Sequence, residues 1–125
     1  MNVKIDTKEK FVIITPLVPE LTANMTEELT ELLLPYIQKD ISNIVLVLSE
    51  VNIIDDKGCE SIANLQQNFY ENDCSFVICN LKKSIQILFD KLDLLDVLNI
   101  TPTESEAWDI VQMEIMEREM MNDED

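Results

Sequence analysis

Apolar positions along the chain change their period several times, and each change marks an element. Residues Asn2 to Asp6 alternate weakly, which predicts a short edge strand. The polar stretch Thr7-Lys8-Glu9-Lys10 reads as a turn. Phe11 to Thr15 is an apolar, β-branched run stopped by Pro16, so the first two strands form a hairpin. Leu17 to Ala23 reads as loop. From Met25 the period becomes helical, with Met25, Leu29, Leu32, Leu33, Tyr36 and Ile37 on one face. Asn24 and Glu27 offer a capping pair for that helix. Pro35 is expected to kink it or to weaken its last turn.

Asn43 to Ser49 is continuously apolar rather than alternating, as in a strand covered on both faces, and Ser75 to Cys79 repeats that signature. Between them Glu50 to Gly58 reads as loop, with Asp55 or Asp56 suited to cap the helix that follows. This helix carries Cys59, Ile62, Leu65 and Phe69 on one stripe and ends near Asn72. Ile85, Leu88, Phe89 and Leu92 mark a short third helix, and Val97 to Ile100 reads as a brief last strand. After Pro102 a fourth helix is expected from about Thr103 to Met121. The order is β-β-α-β-α-β-α-β-α, with no repeat and no linker. Strand-helix-strand units of this length take right-handed crossovers, so the inner strands are expected to be parallel. The prediction is one α/β domain over residues 1–125 with a mixed sheet and helices mostly on one face.

Composition narrows the function. The chain has 125 residues, the size of one ordinary domain, and 46% of them are apolar, enough for a packed core. Nine Lys and Arg stand against 25 Asp and Glu, a net charge of -16. Such a surface repels phosphate backbones and anionic headgroups, so neither nucleic acid nor membrane insertion is expected. Histidine is absent, which removes the commonest general base and the usual zinc ligand. Gly58 is the single glycine, too few for a phosphate-cradling loop. The three cysteines, Cys59, Cys74 and Cys79, are odd in number, and the polar first ten residues do not read as a signal peptide. A cytoplasmic protein with reduced, buried thiols is the expectation. Cys74 and Cys79 flank one strand, about 17 Å apart at ~3.3 Å per residue, too far to bridge. No catalysis, metal or cofactor is expected.

The segment richest in chemistry is Asp55-Asp56-Lys57-Gly58, between a buried strand and a helix start. Loops beyond the carboxyl ends of strands are where open α/β sheets place their sites, and a helix start leaves amides unpaired there. Taken alone, these residues read as an N-cap and a turn glycine. A phosphorylatable receiver domain is excluded, because no acidic pair follows the first strands and Asn99-Ile100-Thr101-Pro102 supplies no lysine.

Asn43 to Gly58, reading NIVLVLSEVNIIDDKG, resembles the strand and loop of the STAS domain, the family of bacterial anti-sigma factor antagonists. That family reads as an apolar strand, then Leu-Ser-x-Val-x-Phe-Ile-Asp-Ser-Ser-Gly, then a helix. Leu48-Ser49-Glu50-Val51, Ile53-Ile54-Asp55 and Gly58 fall in register with it. Phe76 to Leu81 resembles the family's fourth strand, Ile85 to Leu95 the helix after it, and Thr103 to Ala107 the acidic start of its last helix. The resemblance implies a non-enzymatic docking module that binds an anti-sigma factor or another kinase-fold regulatory protein through Asp55, Asp56, Lys57, Gly58, Ser61 and Thr22. The alternative is a structural scaffold subunit of a signalling or lipid-transport complex; a homodimer stays open under either.

Two positions depart from the family. Where phosphorylated members carry the acceptor serine, this chain has Lys57, which takes no phosphoester, and no phosphorylation is expected there. Where the family often carries an acidic residue after the second strand, this chain has Thr22. Asp56 places fixed negative charge at the helix start much as a phosphoserine would, although one position early and beside Lys57. The last helix is uneven. Trp108, Val111 and Ile115 make one stripe, expected to pack on the sheet, and Met113, Met116 and Met120 another. Residues 101–125 hold nine acidic residues against Arg118 alone, and residues 113–125 are expected to be an acidic end that frays or meets a partner.

Overall fold

In the computed structural model, which describes residues 1–123, the continuous apolar runs lie at the centre of a five-stranded sheet. Strands β1 (Val3–Thr7) and β2 (Val12–Pro16) form the expected antiparallel hairpin, with Ile5 opposite Ile14. Strands β4 (Ile44–Val47), β6 (Phe76–Cys79) and β7 (Ile100–Thr101) follow in parallel, in the order β1-β2-β4-β6-β7. A second, two-stranded parallel sheet joins β3 (Glu20–Leu21) to β5 (Ile53–Ile54). Four helices complete the chain: α1 (Ala23–Leu33), α2 (Asp56–Glu71), α3 (Lys83–Lys91) and α4 (Glu104–Asp123).

Side chains of a strand point alternately to the two faces of the sheet, and in β2, β4 and β6 both faces are buried. Val12, Ile14, Ile44, Leu46, Phe76 and Ile78 pack on one side against α1, α2 and α3 through Leu29, Leu33, Ile62, Phe69, Ile85 and Phe89. Phe11, Ile13, Val45, Val47, Val77 and Cys79 face the other way, onto Ala107 and Val111 of α4. Trp108 closes that second layer, its ring 5.3 Å from that of Phe11. Three helices therefore share one face and α4 alone covers the other. Fully burying an apolar side chain contributes about 1.5–3 kcal/mol, so the paired layers carry most of the stability.

Polar side chains tie the ends of these strands together. Asn43 donates to the Lys10 carbonyl (3.1 Å), and its Oδ1 accepts from the Ser75 amide (2.8 Å) and from Arg118 Nη2 (3.1 Å). Arg118 also donates to Ser75 Oγ at 2.9 Å, so the single cation of α4 is turned inward to the amino ends of β4 and β6.

The structure departs from the expected elements at three places. Helix α1 begins after Thr22, not Asn24, and ends where Pro35 opens a 3-10 turn over Leu34–Gln38. The last strand is Ile100–Thr101, not Val97–Ile100. The Val97 and Leu98 amides turn back to the Leu94 carbonyl, and the buried amide of Gln66 grips the segment through the Val97 carbonyl (3.0 Å) and the Asn99 amide (2.8 Å). The stretches expected to be plain loops before α1 and α2 contain β3 and β5.

With one glycine in the chain, left-handed turns fall to other residues. Asp73 (φ 59°) and Asp93 (φ 58°) follow α2 and α3. In each turn the next amide reaches back to a buried aromatic, Cys74 to the Phe69 carbonyl (2.9 Å) and Leu94 to the Phe89 carbonyl (2.8 Å). This is a Schellman closure, in which glycine is the residue of least strain. Asp73→Gly is expected to stabilise the fold by about 0.5–1 kcal/mol in urea unfolding, while Asp73→Val destabilises it.

Candidate functional site

The loop that carries Asp55 stands at the carboxyl end of the sheet, and main-chain bonds set its course. The amides of Asn52 and Ile53 donate to the Pro19 carbonyl (2.8 and 3.2 Å), and the ladder of β3 with β5 continues the pairing to Leu21 and Ile54. Two segments remote in sequence thus run side by side into two helix starts. Helix α3 begins nearby: Lys82 Nζ donates to Asn52 Oδ1, and Ser84 Oγ lies 3.4 Å from the Asn52 carbonyl.

Asp55 joins the two helix starts. It is the N-cap of α2, with extended backbone, and its Oδ1 accepts from the Gly58 amide at 2.7 Å. Its Oδ2 accepts from the Ala23 amide of α1 at 3.0 Å. Thr22, the N-cap of α1, makes no side-chain cap of its own. One carboxylate thus satisfies an orphan amide of each helix and sets negative charge at both positive dipole ends.

Gly58 is buried and does not form a turn. It is the third residue of α2, with no positive φ. A Cβ there would stand 2.8 Å from the Leu21 carbonyl oxygen, 2.8 Å from Ile54 Cγ2 and 2.9 Å from Asp55 Oδ1. Glycine is required by close approach. It lets α2 come up against β3 so that Asp55 can reach Ala23.

The remaining expected contact residues separate by exposure. Thr22, Asp55, Asp56 and Lys57 are exposed, and Ser61 is half-buried one turn along α2. Ser61 borders a groove of about 320 Å³ between α1 and α2, together with Glu27, Thr30, Glu31 and Asn64. Lys57 has no carboxylate within 4.0 Å among the described residues. The structure brings five of the six together as one polar surface, with Gly58 beneath as its support. The sequence pattern did not reveal the Ala23–Asp55 bond or the part of Asn52; no periodicity reports a bond across 32 residues.

Cys59 lies directly under the loop. Burial, with Asp56, Asp55 and Glu60 adding repulsion, pushes its thiol up from 9.0 to about 12. Cys79 rises to about 12 through burial and Glu104. All three cysteines are buried free thiols, and the described residues contain no His/Cys/Asp/Glu group able to hold a metal ion. No helix among the described residues is long and apolar enough to cross a membrane.

Two outcomes are expected. Asp55→Ala loses both caps and costs about 2 kcal/mol in urea unfolding, at ~1 kcal/mol per cap. Asp55→Asn keeps one carbonyl acceptor and falls between that variant and the wild type. The raised thiols make the contribution of Cys59 and Cys79 complete below about pH 9. Between pH 9 and 12 the unfolded chain releases protons that the native chain keeps, so stability falls as pH rises through that window. Denaturant titrations at pH 8 and pH 10.5 check the direction.

The STAS domain family model matches residues 2–107 of the chain. Several solved structures share the fold. A Thermotoga maritima protein provisionally described as an anti-sigma factor antagonist superposes with a TM-score of 0.75 at 18% identity, covering 88% of this chain and 94% of that one. The phosphorylated Bacillus cell fate determinant SpoIIAA superposes at 0.64 with 17% identity, covering 88% of this chain and 99% of its own. The murine anion transporter Slc26a9 contains a similar unit, TM-score 0.70 at 15% identity, over 83% of this chain and 18% of the transporter. No curated protein sequence matches the chain. With the family pattern covering most of its length and the five-stranded mixed sheet in place, the chain belongs to the STAS domain family.

Proposed function

We propose that this STAS domain is a regulatory docking module of the anti-sigma factor antagonist kind, binding an anti-sigma factor or another kinase-fold protein through Thr22, Asp55, Asp56, Lys57 and Ser61. The observation that carries this reading is the exposed Asp56–Lys57 pair in the first turn of α2, on a helix start capped by a carboxylate that also caps α1. Such a surface presents its side chains with little ordering cost on association. Solved relatives in fold named as anti-sigma factor antagonists support the same reading.

Lys57 decides how the module is controlled. In the resembling family a serine here takes phosphate, adding close to two negative charges that release the partner. Lys57 is the second residue of α2 and carries a permanent positive charge in that place. The module therefore binds without being turned off by phosphorylation at this position. In this reading the long lysine stem can lie along apolar surface on association while the ammonium reaches a partner carboxylate. A second reading, a scaffold subunit of a larger assembly without a sigma factor, is favoured by the similar unit inside a transporter chain. In both readings the chain works in the cytoplasm by binding, with no catalytic step.

Charge reversal tests the surface. Asp56→Lys and Lys57→Glu are expected to change partner association about tenfold or more, with altered salt dependence, while stability moves within about 0.5 kcal/mol. Unchanged binding in titration calorimetry would place the surface elsewhere. With the partner kinase and ATP, Lys57→Ser is expected to be labelled and weakened in binding, while the wild type is not. Phosphate on wild-type Thr22, Ser49 or Ser61 with loss of binding would contradict an unswitched module.

A further inference from the structure

Helix α4 is apolar on two opposite sides. Ala107 and Val111 are buried against the sheet, as a single-layer helix requires. On the far side Met113, Met116 and Met120 stand 53%, 60% and 64% exposed, in a line left uncovered by the described residues. Exposed apolar side chains scattered singly are ordinary, but three spaced three and four residues apart form a ridge about 10 Å long at ~1.5 Å per residue.

The charged side chains that α4 itself turns outward beside the ridge are acidic. Glu106, Asp109 and Glu117 are exposed beside it and have no cation within 4.0 Å among the described residues. The other charged groups of α4 nearby are already engaged. Glu119 is 4.0 Å from Lys10, Glu114 accepts from the Tyr70 hydroxyl, and Arg118 points inward to Asn43 and Ser75. On one flank Met116 borders a groove of about 360 Å³ that it shares with Phe11, Trp108 and Ile115; Lys8 and Lys10 also line this groove, so the acidic character of the ridge lies with the outward carboxylates of α4.

We propose that this ridge docks a cationic amphipathic helix of a partner protein. The methionines supply a soft apolar seam that adapts to the partner's side chains, and a straight ridge with an adjoining groove is what one helix offers another at an interaxial distance of about 8–10 Å. The uncompensated Glu106, Asp109 and Glu117 select Lys and Arg on the flanks of the incoming helix. A second copy of this chain is a poor occupant. A two-fold contact would set the same three carboxylates against themselves, between chains that each carry a charge of -16. The surface is separate from the Asp55 loop. It lies on the opposite face of the sheet and toward the amino ends of β4 and β6, where Arg118 anchors, so one protein can hold two partners at once.

The probe is a labelled 14-residue peptide of leucine and lysine, LKKLLKLLKKLLKL, followed by fluorescence anisotropy. The wild type is expected to bind it. The triple variant Met113→Ser, Met116→Ser, Met120→Ser is expected to weaken binding about tenfold or more. The triple variant Glu106→Gln, Asp109→Asn, Glu117→Gln is expected to weaken it about fivefold at low salt. An equal loss of charge elsewhere, by Asp40→Asn, Asp90→Asn and Asp96→Asn, all exposed and away from both surfaces, is expected to leave the dissociation constant within about twofold. No binding by the wild type overturns the proposal. So does an unchanged methionine variant, or a control variant as weak as the α4 charge variant, which would mark general attraction to an acidic protein. A concentration-dependent dimer in sedimentation that the methionine variant abolishes would assign the ridge to a second copy instead.

Discussion

Two helices of this domain start against one carboxylate. Orphan amides at a helix start must find acceptors, and α1 opens on a threonine that caps nothing with its side chain. Asp55 supplies the acceptor from the other segment while capping its own helix. The arrangement exists because Gly58 has no Cβ: any other residue would press on the Leu21 carbonyl and push α2 away from β3. The β3–β5 ladder, the approach of α2 and the double cap are therefore one construction. Above it Asp56 and Lys57 sit on a base fixed from two sides.

That construction rests on central strands buried on both faces. Alternating residues of β4 and β6 serve two cores, one under α1, α2 and α3 and one under α4. The consequence is a division of the surface. The carboxyl end of the sheet gathers helix starts and exposed polar groups, whereas the amino end is tied by Asn43, Ser75 and Arg118 and carries the outer side of α4. The expected role of residues 113–125 divides in the same way. The described part, to Asp123, continues α4 as helix, while Glu124 and Asp125 lie outside the described residues.

What could be read in the chain follows from the range of the interaction that sets each feature. Continuous runs such as Ile44–Leu48 and stripes such as Ile62, Leu65 and Phe69 are local, so the central strands, the helices and the mixed sheet were legible. The start of α1 was not, because Asn24 and Glu27 look like a cap locally while the acceptor in use comes from Asp55. Val97 to Asn99 has strand-like composition, yet buried Gln66 on α2 takes up its main-chain groups. In the candidate site, Asp55 as cap and the exposure of Lys57 were within reach of the sequence. The close approach at Gly58 was not, since a glycine that lacks room for a Cβ looks the same in a sequence as one that makes a turn.

The double cap is open to direct measurement by amide hydrogen exchange at Ala23 and Gly58, followed by NMR in the wild type and in Asp55→Ala under native conditions. Gly58 is the only glycine, so its signal stands alone in the glycine region. If one carboxylate holds both helix starts, the two amides lose protection together in the variant while the central strands keep theirs. Loss at Gly58 with Ala23 unchanged would show that α1 is held by something else, and the docking surface would then have no common base.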